Sequence, residues 1–152
     1  HVLREVELET VESHVGELRR ACGDRAVLRA LHYYDENARV LEQAAAIRGG
    51  DLPAFFDAVK RSGDSSWKLL QNVYARSTEE QMAMGIELSR RFLHGDGAQR
   101  VHGGGFAGTI QAYVPLDRLD DYKKLMEDAF GPGSCTALMV RPEGAVMMPM
   151  EG

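Results

Sequence analysis

The residues best suited to chemistry in this chain form the run Arg100-Val101-His102-Gly103-Gly104-Gly105-Phe106-Ala107-Gly108. Glycine tolerates positive φ and lets a backbone come close to a ligand or to another segment. Successive free amides in such a loop can form a nest for an anion. Gly103, Gly105 and Gly108 satisfy G-x-G-x-x-G, a spacing that acquires meaning only from its context. A dinucleotide loop opens a helix, whereas Thr109-Ile110-Gln111-Ala112-Tyr113-Val114 alternates as a strand does. A P-loop ends in Gly-Lys-Ser/Thr, a triplet missing from this sequence. The glycine loop of protein kinases lies between strands, but it needs H-R-D and D-F-G segments, and neither occurs here. Two readings remain: a glycine-rich turn at a sheet edge, or a loop shaped to meet an anion or a second backbone.

Other chemistry-bearing groups are more scattered. Arg29, His32, Glu36 and Arg39 follow one another at helical spacings of 3, 4 and 3, along one stripe. Spacing alone favours a solvated face laced with charge pairs over a functional surface. Ser62, Ser65 and Ser66 share a helical face, where hydroxyls either line a polar pocket or simply allow tight packing. His94, Asp96 and His102 are metal-ligand types, but no cysteine or further histidine stands at ligand spacing, so no metal site is expected. Cys22 and Cys135 are too few for a disulfide framework and point to a reducing, cytoplasmic setting. The seven methionines and the lone Trp67 are read as core-filling residues.

These groups need elements to position them. At 152 residues the chain has the length of one domain, spanning 1–152, with enough apolar content for one core. Its net charge of −5 argues against a nucleic-acid binder. No apolar stretch approaches the roughly 18 residues of a membrane span, and no signal-peptide pattern opens the chain. It begins at His1 rather than methionine, as an excised piece or a processed product would. Helical periodicity predicts helices over about 8–21, 25–48 and from Leu52 onward, and a fourth helix capped by Ser77-Thr78-Glu79-Glu80. In the second, Val27, Leu31, Tyr34, Ala38, Leu41 and Ala45 are the expected buried face. From Gly95 the texture turns strand-like. Strands are expected at 109–114, Cys135–Val140 and Ala145–Met148, with a short helix from Leu119 to Ala129. Helices first, then strands around one helix, predict an α+β domain: a small antiparallel sheet with helices on one face after an N-terminal helical run.

Taken together, several short motifs resemble galactokinases, within the GHMP family of small-molecule kinases. Gly103-Gly104-Gly105-Phe106-Ala107-Gly108 resembles their third motif. Leu3-Arg4-Glu5-Val6 is similar to the segment leading into their C-terminal half, and Arg29-Ala30-Leu31-His32 with Glu36 and Arg39 to their R-A-x-H helix. Arg48-Gly49-Gly50-Asp51-Leu52 with Phe55 resembles the turn that follows, and Ser62 through Leu69 their S-H-x-S-L segment. The motifs stand in family order and cover nearly the whole chain. The resemblance implies a ferredoxin-like C-terminal half of an ATP-dependent sugar kinase, with ATP, Mg²⁺ and a sugar as its small molecules. It implies that the ATP loop, the catalytic aspartate and most sugar contacts lie in an N-terminal half outside these residues. That half is the implied partner, no catalytic residue is expected here, and the piece alone is expected to be inactive and to hold no cofactor tightly. Gly103, Gly104, Gly105, Phe106 and Gly108 would close one wall of the cleft, with Arg100, His102, Ser62 and Ser65 as further contacts. The sequence departs from the family at Ala107, at His102 and at Gly63-Asp64, which bears on the identity of the sugar. The alternative is a stand-alone binding or regulatory module that holds an anion at its glycine loop.

Overall fold

Glycines and one aspartate divide the helical part of the chain. Gly49 ends a 26-residue helix, and Gly50 takes the left-handed conformation just beyond it, where a Cβ would be strained. Asp51 then caps the next helix, its Oδ1 accepting the Ala54 amide at 3.0 Å, with Pro53 in the first turn where no N–H is required. The computed structural model describes residues 2–74, 76, 78–106 and 108–140. Along them run α1 (Leu8–Ser13), α2 (Val15–Cys22), α3 (Asp24–Gly49), α4 (Leu52–Ser65), a π-helical turn (Ser66–Leu70), α5 (Gln81–Leu93), β1 (Ala98–Val101), β2 (Ile110–Tyr113) and α6 (Leu119–Phe130). The helix expected over 8–21 is broken at His14, whose backbone leaves the helical region.

The buried face of α3 is not quite the one periodicity suggests. Val27 is buried, but further along it is Arg39 and Ala46 that turn inward, while Leu41 is exposed. A strict seven-residue repeat drifts by about 20° per heptad on a straight helix. By the second half of α3 the facing stripe has therefore moved one position on. Polar residues can occupy it because α4 supplies partners for them.

β1 and β2 form an antiparallel ribbon in which Ala98 faces Tyr113 and Val101 faces Ile110. Side chains alternate across it. On one side, Tyr113 meets the rings of Phe55 and Phe56, so α4 covers the side of Ala98 and Arg100. On the other, Val101 packs with Val73 and Met82 in a buried cluster joined by Trp67, Ile86 and Ile110. Gly85 lets α5 sit close to Ile110, Met126 and Phe130. Deeper along α5, the Ser89 and Tyr122 hydroxyls share a buried 2.7 Å hydrogen bond that ties α6 to it. The expected α+β class thus holds, with helices on both sides of the ribbon rather than on one. Met82 and Met126 are core residues as expected.

Other expectations change. β1 is a strand that the glycine-rich texture of 95–108 conceals. Cys135–Val140 forms no strand. Its Leu138, Met139 and Val140 are exposed, and among the described residues no strand pairs with it, without which no strand is stable. The expected strand Ala145–Met148 and the turn before it lie outside the described residues. α5 starts at Gln81 with Glu80 as N-cap and no side-chain cap bond; Ser77 lies outside the described residues.

The strand ends are sterically exacting. Gly97 has φ +134°, and a Cβ there would press into the Tyr113 carbonyl oxygen across the ribbon. Gly97→Ala should lower stability by about 2 kcal/mol or more in urea unfolding, whereas Gly95→Ala, with open space around it, should cost less.

Candidate functional site

Two neighbouring arrangements collect the candidate residues. The first is a polar cluster where α3, α4 and β1 meet. Glu36 is its hub. Its carboxylate accepts from Arg39 on the same helix and from the Ser62 hydroxyl of α4 at 2.6 Å, and the Arg100 guanidinium of β1 stands 3.9 Å away. Arg39 also donates to Asp35 at 3.1 Å, and His32 Nδ1 lies 2.9 Å from the Ser65 hydroxyl. Ser62, Ser65 and Arg39 are buried. Gly63 permits this convergence: its Cα faces the strand so closely that an added Cβ would lie 3.2 Å from the Arg100 Cβ. Burial pushes the His32 imidazole below its ordinary value, against the raising effect of Glu36, and nearby Arg39 and Arg100 lower it further.

The second arrangement is the glycine loop itself. His102 donates its amide to the Thr109 carbonyl at 3.0 Å, closing the hairpin that carries the loop. Phe106 then donates its amide to the Asn72 carbonyl, also at 3.0 Å. Gly105 lies flat on Asn72. A Cβ there would press into the Asn72 carbonyl oxygen and come within 2.7 Å of its side-chain nitrogen, so this position requires glycine. Phe106 itself has φ +55° and an exposed ring, a conformation that a bulky residue adopts only when its surroundings hold it. Asn72 is 1% exposed, and among the described residues neither its Oδ1 nor its Nδ2 has a hydrogen-bond partner. The segment under the loop is held in turn by α3: Arg29 Nε donates to the Leu70 carbonyl at 3.3 Å, just before Gln71 turns left-handed.

The structure therefore separates what the sequence grouped. Arg100, Ser62 and Ser65 belong to the polar cluster, with Arg100 turned toward α3 rather than into the loop. Gly103, Gly104, Gly108 and His102 are exposed on the loop. The Gly105 amide is used within the loop by the His102 carbonyl at 3.4 Å, and that of Phe106 by Asn72. Among the described residues, Gly103 and Gly104 are consecutive amides left open to a ligand. Ala107 lies outside the described residues. The stripe Arg29, His32, Glu36 and Arg39 is a packed polar seam in its middle, not a solvated face. The sequence carries no sign of the role of Asn72 beyond the polar pair Gln71-Asn72 between Leu70 and Val73. Among the described residues no group of three His, Cys, Asp or Glu side chains could hold a metal. His94 and His102 sit at opposite ends of the ribbon.

A glycine loop anchored on a buried asparagine beside a charged helix seam, in an α+β unit, is the class of arrangement the structure defines. Comparison with curated proteins makes it more particular. The chain is similar to the galactokinase of Haemophilus influenzae (strain ATCC 51907 / DSM 11121 / KW20 / Rd), 31% identical over 128 residues. It is also similar to those of Mannheimia succiniciproducens, at 29%, and Pasteurella multocida, at 27%. Each match covers 84% of this chain and 32% of the relative. The resemblance to galactokinases read from the motifs therefore holds along most of the chain. The chain spans about a third of the length of the curated relatives it matches. No family model matches it.

Two outcomes follow from the cluster. His32 titrates lower in the folded chain than the 6.5 of a free imidazole, so the unfolded chain binds more protons over the interval between the two values. Stability should therefore be fully present above about pH 6.5 and fall as pH drops below it; His32→Gln should flatten that part of the urea-stability profile. Glu36→Gln, which leaves Arg39 without its main counter-charge in a buried place, should cost about 2–3 kcal/mol in the same measurement.

Proposed function

We propose that this chain is the C-terminal part of an ATP-dependent sugar kinase, one that moves the γ-phosphoryl group of ATP to a hydroxyl of galactose and forms galactose 1-phosphate. The observation that carries the reading is the similarity to galactokinases over 128 residues, with the glycine loop seated so firmly on Asn72. In this reading the unit completes a ferredoxin-like sheet once the rest of the protein is present. Phosphoryl transfer is accomplished mainly by positioning and by electrostatic stabilisation. The contribution of this chain is a rigid wall. Gly105 and Phe106 fix the loop to Asn72, and the Gly103 and Gly104 amides face outward to support the phosphate-binding loop of the other half. ATP supplies the phosphoryl group when bound, and the Mg²⁺ that accompanies it is held largely by phosphate oxygens and by residues outside this chain. Catalytic residues, and most of the sugar contacts, lie in that other half too. The protein acts in the cytoplasm in this reading, which fits the free thiols of Cys22 and Cys135. No helix among the described residues is long and apolar enough to cross a membrane.

The alternative of a stand-alone binding or regulatory module is less well supported. Val40, Leu41 and Ile47, on one side of α3, are 60%, 72% and 61% exposed. A stripe of large apolar side chains left in water is what a unit separated from its covering half presents.

The test is ADP release by the full-length protein with Mg-ATP and galactose, with the 152-residue chain alone as control. Galactose-dependent turnover by the full protein and none by the chain is the expected result. A second arm places Gly105→Ala in the full protein, where detachment of the loop from Asn72 should lower kcat at least tenfold while the fold persists. Turnover by the isolated chain would overturn the division of labour, and failure of the full protein on galactose would overturn the sugar assignment.

A further inference from the structure

A cleft of about 490 Å³ opens between α4, the last turn of α5 and the start of β1. It lies at the Ala98–Tyr113 end of the ribbon, and the glycine loop leaves from the Val101–Ile110 end. Four residues of strand separate them, roughly 10 Å at the usual rise. The cleft is thus a place that the proposed kinase reading does not use. Its size falls in the range of roughly 300–1,000 Å³ typical of small-molecule sites.

Its lining is cationic. Lys60 comes from α4, Arg90 and Arg91 from α5, and His94 from the turn after α5. Glu87 is the carboxylate that answers the two arginines, and it is fully used. Arg90 Nε and Arg91 Nε each donate to it at 2.7 Å, and Arg90 Nη2 adds a third bond at 2.8 Å. Those bonds hold the Glu87 carboxyl far down, at about 2, so it is ionised at any ordinary pH. Two guanidiniums on one carboxylate leave a positive surplus. Among the described residues the terminal nitrogens of Arg91 have no partner, and no ion pair or hydrogen bond engages the Lys60 ammonium. Gln99, on β1, also lines the cleft and brings amide donors to it. Gly95 and Gly97 keep the wall opposite bare of side chains.

A pair of arginines at a helix C-terminus also complements the helix dipole. That accounts for two of the cations but not for Lys60, which reaches the cleft from another helix, nor for the open space between them. Planar guanidinium donors with a lysine point charge are the usual equipment for phosphate oxygens. We propose that this cleft binds a small soluble phosphate-bearing molecule, held chiefly by Lys60 and Arg91, with the Gln99 amide as a neutral donor. A site so placed, at the end of the ribbon away from the glycine loop, is suited to sensing a phosphorylated metabolite rather than to turning one over.

Inorganic pyrophosphate is the probe. Calorimetric titration of the full-length protein, with its nucleotide site saturated by ADP, should show a pyrophosphate-binding step that weakens as salt is added. Lys60→Gln with Arg91→Gln keeps side-chain bulk and removes two charges. That variant should bind pyrophosphate at least tenfold more weakly, about the worth of one charge-assisted hydrogen bond, while its far-UV circular dichroism stays that of the parent. His102→Ala, on the exposed glycine loop, should leave this step in place. An unchanged affinity in the double variant, or no binding at millimolar pyrophosphate, would overturn the site. Sedimentation with vesicles of anionic phospholipid is the counter-test, because capture by vesicles without binding of pyrophosphate would overturn the soluble ligand. The outcome does not depend on galactose turnover, so the site and the proposed kinase activity stand or fall separately.

Discussion

A single carboxylate at the meeting point of three elements sets the geometry of everything near it. Glu36 is partly withdrawn from water and must be answered by donors. Arg39 of α3 and Ser62 of α4 provide them, and Arg100 of β1 adds an ion pair at 3.9 Å. A buried charge without partners is so costly that α4 cannot slide along α3, nor β1 rotate about its axis, without losing one of them. Gly63 makes this possible by letting the strand approach α4 to ordinary contact distance. The register of β1 then fixes where the hairpin turns and hence where the glycine loop begins.

The loop is fixed a second time, from below. The Asn72 carbonyl receives the Phe106 amide, and Gly105 lies against the Asn72 side chain. Asn72 is placed by the π-helical turn, and the turn is held by Arg29 of α3. The long helix thus controls both ends of the arrangement: the strand through Glu36, and the loop's seat through Arg29. The two side chains are seven residues apart, which is two helical turns and the same face. That spacing is the physical content of the Arg29–Glu36 stripe. It carries no chemistry of its own, but it ties a loop to a scaffold at two points.

How much of this was legible in advance varied with the physics involved. The class of fold was legible, because helical and strand periods differ and α3, α4 and β2 show theirs clearly. The need for glycine in the loop was also legible in outline. What could not be read was which glycine is obligatory, because Gly105 and Gly108 look alike until Asn72 is placed under one of them. The polar seam is hidden in the sequence for a related reason. Charged residues at spacings of 3 and 4 describe a solvated face equally well, and only the arrival of Ser62 and Arg100 from distant positions makes the stripe a buried one. Cys135–Val140 shows the converse error. Its residues suit a strand, but a strand exists only by pairing, and no partner stands beside it among the described residues.

The sequence by itself determined the helices with their glycine and aspartate boundaries, the α+β class, and the likeness to galactokinases, since all of these rest on local spacing or on matching short segments in order. Tertiary structure alone decided which face of α3 is buried, that Arg100 turns to Glu36 rather than to the loop, that Asn72 is the loop's seat, and that Lys60 and Arg91 line one cleft. Each of these joins residues more than twenty positions apart. Local preferences extend over a few residues, whereas the energy of burying a charge or seating a backbone depends on what the whole chain brings to that point.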